Sequence, residues 1–100
     1  MRTALVATAL LLIATPANAD ADQKRFAYMA GVVDGHIKVC GGEAINDYDA
    51  MKWSAKKPAY EPHYKQGMAD IEDQILRNDC DHAAEKYTLK MGLGRPIWKP

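Results

Sequence analysis

His36 and Cys40 stand four residues apart, the spacing that puts two side chains on one face of a helix and at which two metal ligands could meet. Two ligands do not make a site. A third would have to come from His63, from His82, or from Asp79 and Asp81 beside Cys80, and neither Cys-x-x-Cys nor His-Glu-x-x-His spacing accompanies them. A Cys–His pair is also the pair of a thiol nucleophile, but only while the sulfur is reduced. The missing Cys-x-x-Cys counts against a disulfide oxidoreductase, and the missing Cys-x-x-Cys-His against covalent attachment of a c-type haem. Asp70, Glu72 and Asp73 bring carboxylates together on a predicted helix, without apolar neighbours that would tune one of them for acid–base work. A solvated face is the expectation there. The sequence thus predicts no catalytic residue, no metal, no cofactor and no enzymatic activity.

The state of the two cysteines depends on compartment, and the N-terminus speaks to that. Met1-Arg2-Thr3 precedes an apolar run from Ala4 to Ala14, and Ala17-x-Ala19 then offers small side chains before Asp20. This is the pattern of a cleaved signal peptide, residues 1–19, and it predicts a periplasmic or secreted product. Removal of Arg2 with it leaves 12 basic and 13 acidic residues. So balanced a charge gives no reason to expect nucleic acid or an anionic membrane as partner. In an oxidising compartment Cys40 and Cys80 most simply form a disulfide, with free or metal-bound thiols as the alternative. A loop of this length would contribute roughly 4 kcal/mol in the chain-entropy model. That matters in a chain too short to bury a large core.

The elements that must carry these residues are helical. Phe26, Met29, Val33, Ile37 and Cys40 recur at threes and fours, which predicts an amphipathic helix from Asp22, its N-cap, to Cys40, stopped by Gly41-Gly42. Gly31 and Gly35 give this helix a small-residue face suited to close internal packing, or to a homodimer. Asn46 and Asp47 can cap a short helix through Tyr48, Met51 and Ala55, ended by Lys57-Pro58. Pro62 should open a third helix to Asn78 bearing Tyr64, Met68, Ile71 and Ile75 and delivering Cys80 at its end. Asp79 or Asp81 should cap a last helix, 81–91, closed by Gly92-x-Gly94. No run alternates in the manner of a strand. The expected fold is all-α: a disulfide-linked bundle of three to four helices over residues 20–94, its two bridged helices roughly parallel, with 95–100 as an extended tail.

Between the cysteines, Tyr48, Trp53, Tyr60 and Tyr64 gather around the proline connector together with Lys52, Lys56, Lys57 and Lys65. Aromatic and basic residues on a stiff loop are what a protein interface uses for anchors, and capping a small core is their other use. Trp53, Lys56, Lys57, Tyr60 and Tyr64 are the partner-binding residues this predicts.

The stretch Phe26-Ala27-Tyr28-Met29-Ala30-Gly31-Val32-Val33-Asp34-Gly35, followed by Cys40 and then a long helix before Cys80, resembles periplasmic immunity proteins of the Tai type. Gly31, Asp34 and the two cysteines carry the likeness over residues 25–80. It implies a small disulfide-bonded helical protein that neutralises a type VI secretion amidase effector. The chain departs from that family in having Gly41-Gly42 rather than proline beside Cys40, and Asn78-Asp79 before Cys80. Size, a signal sequence and one disulfide also resemble acid-stress chaperones of the HdeA type, although those place the first cysteine ahead of the long helix. Either resemblance implies a protein partner, an effector or a client.

Overall fold

A computed structural model describes the backbone of residues 2–90 and 94–100 and the side chains of residues 19–90 and 94–100. Helix α1, Arg2–Cys40, is followed by strand β1, Glu43–Ala44, and helix α2, Tyr48–Ala55. A 3-10 turn, Pro58–Tyr60, leads into α3, Glu61–Arg77; then come α4, Cys80–Lys86, and strand β2, Trp98–Lys99. The chain is an all-α bundle closed by a Cys40–Cys80 disulfide, with the two Cα atoms 6.0 Å apart.

Helices α1 and α3 form the spine and run parallel. Contacts advance together along both: Tyr60 bonds Asp20, Gly31 meets Tyr64 and Met68, Gly35 meets Met68 and Ile71, and Lys38 pairs with Glu72 before the bridge is reached. Glycine makes this approach possible. A Cβ at Gly31 would lie 2.0 Å from the carbonyl oxygen of Tyr64, and one at Gly67 would lie 2.0 Å from that of Tyr28. Each glycine therefore points a Cα hydrogen at a carbonyl of the other helix, a weak attraction that only a residue without a side chain permits. Ala27, Ala30, Val32, Val33 and Ile71 fill the seam, and Met51, Ala55, Ala83 and Ala84 close over it from the short helices.

Several local expectations are corrected. Asp22 does not cap α1, because the helix runs through it; its carboxylate accepts from Arg25 instead. Asp47 stands at the N-cap of α2 but makes no side-chain capping bond, being held by Arg95. Cys80 does not end α3 but opens α4, whose N-cap Asp79 accepts the His82 backbone N–H. The last helix stops at Lys86, since Thr88 takes φ = 55° and turns Leu89 into the core. Residues 91–93, and with them the expected end of that helix, lie outside the described residues. A short strand pair does exist: Glu43 faces Lys99 and Ala44 faces Trp98, antiparallel.

Residues 95–100 are extended and fold back onto the bundle. Leu89, Ile97 and Trp98 are all buried, and burial of an apolar side chain of this size is worth about 2 kcal/mol. Backbone bonds from Ile45 to the Ile97 carbonyl and from Ile97 and Trp98 to the Leu89 carbonyl hold the strap, while Trp98 Nε1 donates to Gly41. Gly42 lies under it with φ = 90°, where a Cβ would stand 2.3 Å from the Lys99 carbonyl oxygen.

The glycine crossing predicts a ranking of variants. Gly31→Ala and Gly67→Ala each put a methyl into backbone and should cost roughly 3 kcal/mol or more despite alanine's higher helix propensity. Gly35→Ala would meet the Cγ2 methyl of buried, β-branched Ile71 at 2.6 Å with the Met68 carbonyl oxygen at 3.2 Å, and should cost about 2 kcal/mol, less than the two that run into a carbonyl at 2.0 Å. Urea unfolding of the three variants checks the order.

Candidate functional site

The crossing glycines belong to a repeat. Tyr28-x-x-Gly31-x-x-Asp34 on α1 recurs as Tyr64-x-x-Gly67-x-x-Asp70 on α3. The tyrosines exchange partners across the seam: Tyr28 donates to Asp70 at 2.6 Å, and Tyr64 donates to Asp34. The two halves are thus related by an approximate two-fold axis running along the seam, and the disulfide sits where they meet. One tyrosine–aspartate pair lies on each side of the spine.

The two sides are completed differently. Asp34, 18% exposed, also accepts from the Tyr48 hydroxyl and from the ammonium of Lys52, both on α2. Lys52 in addition donates to the Tyr64 hydroxyl at 2.9 Å and stands 4.4 Å from the centre of that ring. Burial opposes the charge on Lys52, but Asp34 and Tyr64 outweigh it and raise its pKa. Burial and the bond to Asp34 push the Tyr48 phenol up to about 12. Burial and Asp34 raise Tyr64 likewise. On the other side Tyr28 is raised by burial, by Asp70 and by the nearby Tyr87 hydroxyl. Asp70 takes a second bond from Gln66 at 2.6 Å.

The expected interface residues are therefore not equivalent. Tyr64 is spent on Asp34 and packs against the core; Tyr60 packs there too, with its hydroxyl on Asp20 at 2.7 Å. That bond and Lys24 lower the Asp20 carboxyl. Trp53, by contrast, is 61% exposed on the outer face of α2. The Lys57 ammonium stands 3.8 Å over the centre of its ring and is itself held by Gln23 of α1 at 2.9 Å. Lys56 beside it is exposed. Trp53, Lys56 and Lys57 thus form one open face, while Tyr60 and Tyr64 support it from within.

His36 and Cys40 do not converge as ligands. Cys40 is in the disulfide, and His36 is fully buried, its Nε2 donating to the Cys80 carbonyl at 3.0 Å and its ring packed edge-on against Trp98. His36 Nδ1 has no hydrogen-bond partner among the described residues. The histidine ties α1 to both the bridge and the strap. No protein-family model, curated protein or solved structure matches the chain.

Reading the residues by type placed Asp34 in a family outline and Asp70 on a solvated face; it missed that each is the acceptor of the opposite tyrosine. The signal was present, since the same seven-residue pattern occurs twice at a separation of thirty-six residues. It is masked by the unlike residues between, which face outward or into different neighbours.

The Asp34 cluster carries a pH dependence. Folding favours the protonated Tyr48 phenol, so its contribution is complete below about pH 10 and is lost as the pH rises toward 12. The urea midpoint should fall across that window, and Tyr48→Phe, less stable at about pH 8 for want of the bond, should show a shallower fall.

Proposed function

We infer that the chain is a small exported binding protein, not an enzyme, that holds a protein partner through the Trp53 face. What supports this reading is one observation above the others: a tryptophan more than half exposed, fixed on a helix and stacked under a lysine that a second helix holds in place. Tryptophan is the residue most enriched at the energetic centres of interfaces, and an anchor already ordered loses little entropy on docking. The cation over one ring face leaves the other face and the edge for the partner, and Lys56 adds charge at the rim.

The immunity-type resemblance gives that partner a class. A secreted cell-wall amidase would be neutralised by occlusion of its cleft, with Trp53 as the inserted group and the disulfide preserving the shape of the face in an oxidising compartment. The signal-like pattern of residues 1–19 supports this reading, since export with cleavage before Asp20 would bring the protein to the compartment such an effector enters.

The test is co-purification of the protein with a type VI secretion amidase effector produced in the same cells. A stoichiometric complex that abolishes hydrolysis of peptidoglycan is expected, with Trp53→Ala weakening it roughly 30-fold or more, the loss typical of a central tryptophan. An amidase equally active with and without the protein, or a complex indifferent to Trp53→Ala, contradicts the proposal.

A further inference from the structure

The two sides of the spine share a motif but not its completion. At Asp34 the carboxylate receives the opposite tyrosine, a second tyrosine from the following short helix, and a lysine one turn beyond it. At Asp70 the opposite tyrosine is present, and Tyr87 approaches it in turn. The lysine has no counterpart. After Tyr48 the helix continues and brings Lys52 to Asp34; after Tyr87 it has ended, Thr88 turns left-handed, and Leu89 enters the core. Lys86 is used on Gln74, and the nearby acid Asp73 pairs with Arg77. Among the described residues no ion pair includes Asp70. Residues 91–93 are Met, Gly and Leu and supply no cation.

We propose that Asp70 is the recognition point for a lysine or arginine side chain of a protein partner, which takes at Asp70 the place that Lys52 holds at Asp34. Two oriented donors already fix the carboxylate: Tyr28 binds one oxygen and Gln66 the other. It is only half-buried, so a side chain can reach it, and neither donor cancels its charge. A carboxylate held in place and partly desolvated favours a cation more than a mobile surface acid does, and such a contact sets orientation and association rate. The Lys52–Asp34 contact is an instance of this motif holding an ammonium. The site lies across the spine from α2, so a partner touching both Asp70 and Trp53 would straddle the bundle. The inference rests on the reading of the chain as a protein-binding module, but not on Trp53.

The test places a photo-cross-linking p-benzoylphenylalanine at exposed Ala69, beside Asp70, and separately at Lys56, beside Trp53, in the full chain expressed in the cells that produce it. The expected result is an adduct from position 69 whose contact peptide contains a lysine or arginine. Its yield should fall at least about tenfold with Asp70→Asn or on raising salt from about 50 to about 500 mM, and survive Asp70→Glu. Changing the identified partner lysine or arginine to Ala should give the same loss, which keeps the test decisive if Asp70→Asn disturbs folding. An adduct from position 56 alone, or one from position 69 indifferent to both changes, overturns the proposal and leaves the Trp53 face standing. An adduct from position 69 alone that is lost with both changes upholds it and removes the Trp53 face. No adduct from either overturns both.

Discussion

The distance between α1 and α3 is set at two points, Gly31 and Gly67, where each helix lays a Cα against a carbonyl of the other. Everything else in the bundle follows from that separation. Only helices this close let Tyr28 and Tyr64 reach across to Asp70 and Asp34. Only a parallel arrangement brings the ends of both helices to the same level, where Cys40 and Cys80 can be joined. Parallel packing of consecutive helices requires a chain reversal of some length between them. The segment from β1 through α2 to the 3-10 turn provides it, and lies back along α1 with Met51 and Ala55 in the seam.

The approximate two-fold relation makes the differences between the halves informative. Side chains that serve the crossing are duplicated: the tyrosine, the glycine and the aspartate. Those that serve the surroundings are not. One half carries a lysine into the cluster and presents Trp53 on the outside of the same helix, so the residue that seats α2 and the residue that faces solvent are one position apart. The other half ends its helix early and commits Leu89, Ile97 and Trp98 to a strap that covers His36 and the bridge. The strap adds cross-links at the disulfide end, with Arg95–Asp47 and Lys99–Glu43 pairs at its margins. The α2 face, away from it, is free to be used.

Helix type, approximate extent and the single bridge were legible in the sequence because they rest on local signals: apolar spacing, prolines after Lys57 and Glu61, glycines after Cys40, and two cysteines with no other thiol partner in the chain. Gly31 and Gly35 were readable as a close-packing face, yet the partner surface at Gly67 was not, since one glycine within polar neighbours gives no periodic signal. Pairings distant in sequence were hidden for a physical reason. Tyr28 to Asp70 and His36 to Cys80 depend on which helices neighbour one another and in which direction, and no local propensity encodes that. The burial of Ile97 and Trp98 escaped for the same reason: a six-residue segment with two prolines looks solvated until a strand partner at Glu43–Ala44 is known. Among the residues expected at an interface, type alone could not separate Trp53, which is open, from Tyr64, whose hydroxyl is committed to Asp34.

The central claim is the parallel crossing at the two glycines, and nuclear Overhauser contacts in the folded, oxidised protein test it most directly. The account predicts strong cross-peaks from the Gly31 Hα protons to the Met68 amide and from the Gly67 Hα protons to the Val32 amide, matching backbone separations that leave no room for a Cβ. Absence of both, or contacts that step in opposite directions along α1 and α3, would contradict it.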